Sequence, residues 1–515
     1  MSSFKTLVVD AHPHGIANEK TGTFWTAVMH IFCGIVGAGV LALPHSVAWL
    51  GWVGGPFMII VFWLISCLTS WLLADAYEVN GVENGRYHHA VRNILGQRYG
   101  VIVSVFQLAN LFLISITFSI TGSTAMAAMG ALVCGGGACF DSMWKMSCIF
   151  GAVEVLLSQV PSLESAWWVS TLGVVTSSIY STIALALGIK YAGARQGDIR
   201  GIQANAVNKV FGVMNALGAI AFAYSFSIIL LEIQDTLRQP PKASKTMKPA
   251  AIAGISAAFA FYFTVAVVNY SAFGNNVSGF ILDAYPGPKW LLVVGYVCIL
   301  LHMVSAYQVF GQPMFDTIES HIKAFHLKRA QAAADTEAPG KGAEELRRMS
   351  AAMQAKHQGA APVDADPVPR AEGSFLRRMS PAVSERLSRL SATASMYRMS
   401  TGFANESVPL NEDHYFLPLW QRLLCRTLYV ILTTVVAIVM PFFTDMAGLV
   451  GALTFFPLSV FLPIRCWRVL YHPTGAFSAL LWFVEISMGI VCVCATVASV
   501  RGIILNWTTY KLFAS

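Results

Sequence analysis

The sequence predicts an all-α membrane protein with eleven spanning helices, and three observations predict it. Of 515 residues, 56 % are hydrophobic and only 12 % charged, with a mean hydropathy of +0.59; an average soluble domain is roughly one quarter charged. The charge is also concentrated. Residues 323–417 hold 13 Lys/Arg and 11 Asp/Glu, which leaves the rest of the chain about 9 % charged, a composition suited to lipid. Third, the apolar stretches reach about 20 residues, the length at which a helix crosses a bilayer with every backbone group satisfied internally. These numbers exclude a soluble enzyme, a disordered scaffold and a nucleic-acid partner, because the net charge of +7 comes from loops beside apolar spans and not from a basic folded face. The ten cysteines are mostly single residues in apolar stretches, with no doubled C-x-x-C spacing, so neither a metal nor a cofactor is expected.

The expected spans are 24–49, 54–77, 101–131, 146–160, 166–190, 211–237, 249–272, 289–322, 419–440, 443–466 and 477–504. Residues 1–23 are polar, and the first apolar stretch is too long for a removable signal. The tail is therefore expected in the cytoplasm and the stretch retained. With the N-terminus inside, 26 of the 34 Lys and Arg fall on the cytoplasmic side, as the positive-inside rule favours, and 505–515 form an extracellular tail. The outer loop 190–210 departs from the rule with Lys190, Arg195, Arg200 and Lys209. Cys134 and Cys139 share one external loop, Cys-Gly-Gly-Gly-Ala-Cys, and are the candidate disulfide; two free thiols are the alternative.

Span one contains Gly34-Ile35-Val36-Gly37-Ala38-Gly39, followed by Pro44. Glycine disfavours a helix by about 1 kcal/mol relative to alanine, and proline removes a donor, so the helix is expected to open over Val36, Gly37, Ala38 and Gly39. Close packing through small residues is the other reading of the same glycines. Span six offers Ala221-Phe222-Ala223-Tyr224-Ser225-Phe226-Ser227, in which alanine and serine are not helix breakers, so residue type alone leaves that break open.

Two halves of five spans follow, 24–190 and 211–466, of 167 and, without the 95-residue insertion, 161 residues. Each begins with a candidate discontinuous helix, and an odd number of spans inverts the second half in the bilayer. In that 5+5 plan the substrate sits at the midplane against the opened backbone of helices 1 and 6. Free amides near Gly39 suit a carboxylate, and the carbonyls at Phe222, Ala223, Tyr224 and Ser225 suit an ammonium. A zwitterionic α-amino acid is the expected ligand, with Asn110 of span three as a further contact.

Four intramembrane ionisable residues stand out: His30, Glu154, His302 and Glu485. Charge at mid-helix is costly by at least about 2.5 kcal/mol, so such groups are paired, neutral or functional. Histidine titrates near neutrality, which makes His30 and His302 candidates for carrying a driving proton, His302 also for touching substrate. Glu154 is a third candidate, and neutral hydrogen-bonded packing is the alternative for the histidines. A sodium site would want adjacent hydroxyls in span eight, where Ser305 is followed by Ala306, so proton coupling is favoured. Glu232 and Asp235, at the cytoplasmic end of span six, are placed either to latch onto Lys20 as an inner gate or to form a solvated helix end.

These residues also carry a resemblance. Thr21-Gly22-Thr23-Phe24-Trp25-Thr26-Ala27, Val36-Gly37-Ala38-Gly39-Val40-Leu41 and Leu50-Gly51-Trp52 resemble the opening of the plant-type amino acid permeases in the amino acid/auxin permease family. The run Ile220 to Leu237 is similar to that family's sixth helix. Ala306-Tyr307-Gln308-Val309-Phe310-Gly311-Gln312-Pro313 and Pro441-Phe442-Phe443-Thr444-Asp445 are similar to its eighth helix and its turn into the tenth. The resemblance covers all eleven spans. It implies a LeuT-like inverted repeat with a broken sixth helix, a plasma-membrane address, proton-driven amino acid uptake, and histidines where His30 and His302 stand. An amino acid sensor signalling through the long loop, and a carrier of auxin-like acids, are the rival functions. An enzyme is not expected.

The chain departs from the family pattern in its short Cys134/Cys139 loop and in the insertion 323–417. The insertion is rich in Ala, Ser, Pro and charge and is expected to be largely disordered. Arg347-Arg348-Met349-Ser350 and Arg377-Arg378-Met379-Ser380 both place two arginines before a serine, a spacing that suits a basophilic kinase acting on Ser350 and Ser380.

Overall fold

The computed structural model describes residues 20–134, 142–159, 167–194, 196–337 and 417–510. The first helix, α1 (Phe24–Ile35), begins at a capping box, in which Thr23 Oγ1 accepts from the Thr26 N–H at 3.3 Å and Thr26 Oγ1 accepts from the Thr23 N–H at 2.7 Å. It ends at Val36, whose backbone is extended, and α2 (Gly39–Leu73) begins three residues later. Inside α2, Gly51 has φ +75° and divides the helix in two. A Cβ at Gly51 would fall 2.6 Å from the Gly201 backbone nitrogen, so the positive φ and the close loop both require glycine.

A two-stranded hairpin, β1 (Glu78–Val79) and β2 (Val82–Glu83), leads into α3 (Tyr87–Leu95), α4 (Gln97–Cys134), α5 (Met143–Ser158) and α6 (Trp167–Tyr191). Then come α7 (Ala206–Ala223) and α8 (Leu230–Asp235), parted by Tyr224 to Phe226 and one 3₁₀ turn, followed by α9 (Ala243–Phe273) and α10 (Lys289–Glu337). The chain is described again through α11 (Leu419–Val439), α12 (Phe443–Phe455), α13 (Leu462–Tyr471) and α14 (Gly475–Thr509). Between α12 and α13, Phe456–Phe461 form a wide π-turn, in which the Leu462 N–H reaches back five residues to the Pro457 carbonyl. Pro457 and Pro463 lack the N–H groups that a regular helix would use here.

Among the described residues, nine helices are long and apolar enough to cross a membrane, rather than the eleven expected. The difference has two causes. The opening at Val36 to Ala38 leaves α1 only 12 residues long and runs its second half on into the next span across Gly51. The expected fourth span, α5, is 16 residues long. The eighth expected span also continues as helix to Glu337 rather than ending at 322, because residues 328–337 are mostly good helix formers.

The described residues fall into two compact units, those of 316–337 with 417–422 and those of 20–315 with 423–510. In the second, the apolar window of Ala206–Asp235 is 83 % buried and that of Gly475–Thr508 only 28 %. The interrupted sixth helix is therefore core, and α14 is rim, with Phe483, Ile486, Ile490 and Val493 exposed as a lipid-facing stripe.

Candidate functional site

Both expected breaks are present, and they touch. A helix start leaves its first amides without intrahelical acceptors, and a helix end leaves its last carbonyls without donors. Here the start is Gly39 and the end is Ala223, and a Cβ on Gly39 would lie 2.8 Å from Ala223 Cα. The partial positive end of one half-helix thus abuts the partial negative end of another. At the break in α7, the Tyr224 N–H donates to the Ala221 carbonyl at 3.2 Å and Ser225 Oγ donates to the same carbonyl at 2.9 Å. The C-terminal carbonyl of α1 at Ile35 is capped by the Tyr262 hydroxyl. The Tyr224 ring stands edge-on to Tyr262 at 5.9 Å, with its own hydroxyl buried and unpartnered among the described residues.

His302 of α10 reaches this break. A Cβ on Gly37 would lie 3.4 Å from its Nε2, while its Nδ1 lies 2.8 Å from the Gly173 carbonyl of α6. A carbonyl only accepts, so Nδ1 carries the proton and Nε2 presents a lone pair toward Gly37. Asn110 is buried, and Thr454 of α12 donates to its Oδ1 at 3.0 Å.

The other ionisable candidates are dispersed. His30 is exposed on α1 beside Met29, on the face away from Ala27, Val28 and Ile31, so the structure does not bring it to the break. Thr26 and His30, four residues apart, share the exposed face of α1, a spacing that already sets His30 apart from the buried side. Glu154 is fully buried on α5, and its Oε2 accepts from Gln308 Nε2 at 2.5 Å. Glu485 belongs to an ion cluster instead, 2.9 Å from Arg465 and 3.0 Å from Arg468.

At the inner end, Lys20 is the hub of a network. Its ammonium donates to the Tyr77 hydroxyl at 2.8 Å, lies 3.1 Å from Asp235 and bonds Glu83; Tyr77 in turn donates to Asp235 at 2.7 Å. Burial acts to lower the Lys20 pKa, but the bonds to Glu83, Tyr77 and Asp235 outweigh it and leave it raised. Glu83 is held below the ordinary carboxylate range, chiefly by Lys20. Beside this network the Gly22 N–H donates to the Thr236 carbonyl at 2.9 Å and the Arg238 N–H to the Gly22 carbonyl at 3.0 Å. Asp235 therefore meets Lys20, whereas Glu232 is exposed and stands outside the network. No periodicity or charge pattern marks Tyr77 or Glu83, which sit at a short hairpin.

A buried carboxylate outside the expected set, Asp445 of α12, accepts from Asn215 of α7 at 2.9 Å and from Asn506 of α14 at 2.6 Å, and Ser499 of α14 donates to Asn215 at 2.7 Å. This polar seam fixes the first half of the broken sixth helix to two neighbours. Cys139, Ser350 and Ser380 lie outside the described residues.

The family described as transmembrane amino acid transporter protein matches residues 20–506. Amino acid permease 2 of Arabidopsis thaliana is 33 % identical, over 96 % of this chain and 91 % of that protein. Amino acid permease 3 of the same plant is 31 % identical, over 97 % and 94 %. A solved manganese transporter from Eremococcus coleocola superposes with a TM-score of 0.47 at 12 % identity, over 97 % of this chain and 96 % of that one. With the family matched almost end to end, the chain belongs to the transmembrane amino acid transporters: it is a multi-pass membrane carrier of amino acids, not an enzyme.

Proposed function

We propose that the chain imports amino acids across the plasma membrane by proton symport and alternating access, as an inverted 5+5 repeat, 24–190 and 211–466, with a cytoplasmic N-terminus. The observation that supports it is the abutment of Gly39 and Ala223. The amides over Val36, Gly37, Ala38 and Gly39 would receive the carboxylate, and the carbonyls over Phe222, Ala223, Tyr224 and Ser225 the ammonium. His302 Nε2 faces the same opening, and Asn110, bonded to Thr454, is assigned as a further substrate contact.

The proton is assigned to His302 and to Glu154, which are tied to one helix: Gln308, the partner of Glu154, lies on α10 with His302. His30 is left out because it is exposed away from the opening. Lys20 with Asp235 and Glu83 forms the inner gate. The loop 323–417, with Ser350 and Ser380, is assigned a regulatory role through a basophilic kinase.

The test is uptake by purified protein in proteoliposomes under an imposed proton gradient, across neutral, acidic and basic amino acids and an indole acid. Accumulation of amino acids that collapses with the gradient supports the reading. Binding without accumulation would mean a sensor, preference for the indole acid an auxin-like carrier, and accumulation unaffected by the gradient would end proton coupling.

A further inference from the structure

We propose that His45 is a proton-operated latch on the face of the site opposite Lys20, a positioning residue that frees the outer parts of both broken helices when its imidazole takes a second proton. His45 lies on the first part of α2. Its Nδ1 is 3.1 Å from the Val277 carbonyl, and Trp49 Nε1 donates to its Nε2 at 3.1 Å. An indole N–H only donates, so Nε2 is a lone pair and Nδ1 carries the proton that bonds Val277. Both nitrogens are thus committed in the neutral ring. A proton added at Nε2 would face the Trp49 N–H, donor against donor, and that bond cannot persist.

Both partners of the imidazole hold other elements. Val277 opens the segment 277–285, in which Phe280, Ile281 and Leu282 are buried and the Phe280 ring stands 6.3 Å from Tyr296 and 5.6 Å from Phe443. Trp49 joins α2 to α7: a Cβ on Gly212 would strike its ring, and its carbonyl accepts from Lys209 Nζ at 2.7 Å. The imidazole therefore ties the half-helix starting at Gly39 to the segment 277–285 through Val277 and, through Trp49, to the half-helix ending at Ala223.

The charged groups at this end have their own partners. Lys209 also bonds the Arg200 and Ile202 carbonyls at 2.6 and 2.9 Å. Asp198 accepts from the Arg200 N–H and from Gln203, and Tyr270 donates to its carbonyl. Asp445 is bonded to Asn215 and Asn506. Asp283, raised above the ordinary carboxylate range by burial and bonded to Tyr296 at 2.6 Å, is the one group whose titration would move the same segment, and it supplies the control.

The latch rests on the alternating-access reading above, so its test does not use transport. Amide hydrogen exchange of 277–285 is measured on the full chain in nanodiscs at pH 5.0 and 7.5, with intrinsic rates corrected. The parent should lose protection about 2- to 12-fold at the acid pH, the worth of one such bond. His45→Gln offers an amide oxygen to Trp49 and an amide N–H to Val277, and should stay protected at both pH values. Trp49→Phe keeps the ring but not the donor, and should exchange alike at both. Asp283→Asn should retain the acid-induced loss. The same loss in His45→Gln or Trp49→Phe, or its disappearance in Asp283→Asn, would overturn the latch. Failure of the parent to accumulate amino acids in proteoliposomes would instead refute the transport reading and leave the exchange result standing.

Discussion

Replacing Gly39 by alanine adds one methyl where the two breaks meet. Its Cβ would fall 2.8 Å from Ala223 Cα and 3.0 Å from Ala223 Cβ, whereas ordinary contact begins at 3.4 Å. The obstacle is the main chain at the end of α7, not a side chain that can rotate aside. The half-helices must therefore part by about 0.6 Å, an overpacking that costs about 1–3 kcal/mol. If this free energy falls on the closed arrangement, its population drops by about 5- to 150-fold. Alanine in place of glycine favours the helix by about 1 kcal/mol, which offsets part of the strain in the overall stability. The variant should reach the membrane and melt within a few degrees of the parent, while its initial amino acid uptake in proteoliposomes falls at least about fivefold. Gly54→Ala is the matched control, since its Cβ would meet only the Leu50 side chain, at 3.4 and 3.7 Å; it should transport within about twofold of the parent. Parental uptake by Gly39→Ala, or an equal loss in Gly54→Ala, would refute the reasoning.

Four further outcomes follow from the geometry. Asp445→Ala removes the buried carboxylate that the half-buried Asn215 and the exposed Asn506 share, at about 0.5–1.5 kcal/mol for each lost bond, so its thermal midpoint in detergent should drop below that of Asp445→Asn, which keeps an oxygen in place. Tyr262→Phe uncovers the Ile35 carbonyl and should lower stability by about 1–3 kcal/mol in the same measurement; an unchanged midpoint would show that the carbonyl needs no cap. The Lys20 network should be insensitive to pH between about 5 and 9. The lowered Glu83 contributes above its unfolded value and is lost only as pH falls through its folded one, whereas the raised Lys20 contributes below its unfolded value and is lost only as pH rises past its folded one. The gap in thermal midpoint between the parent and Lys20→Met should therefore be small and flat over that window, and a gap that closes at pH 6 would contradict it. Glu154→Gln keeps an amide facing Gln308 and should lose accumulation driven by a proton gradient while retaining exchange of labelled for unlabelled amino acid across the liposome; retained gradient-driven accumulation would clear Glu154.

What could be read beforehand depended on whether the residue itself causes the feature. The opening at Val36 to Ala38 was legible because the glycines around it carry their own backbone freedom. The opening at Tyr224 to Phe226 was legible only through the family resemblance, since alanine, tyrosine and serine accept a helix; Gly451 packs close beside it, where a Cβ would strike the backbone at Gly218 and Phe222. Asp235 could be paired with Lys20 from charge alone, but Tyr77 and Glu83 come from a turn whose position no periodicity marks. The fate of Glu485 was within reach: Arg465 and Arg468 are three residues apart and share a helix face, and both meet that carboxylate. The outward side of His30 was within reach too: it stands four residues from Thr26 on the polar face of α1, away from Ala27, Val28 and Ile31.

The wide turn at Phe456–Phe461 acts as a phase adjuster. One surplus residue rotates everything downstream by about 100° relative to an unbroken α-helix, and so sets the direction from which Arg465 and Arg468 meet Glu485. Deleting a single residue there would leave the helix as apolar as before and more regular, yet misaim one of its two ends, so this short stretch tolerates exchange of side chains far better than a change in their number.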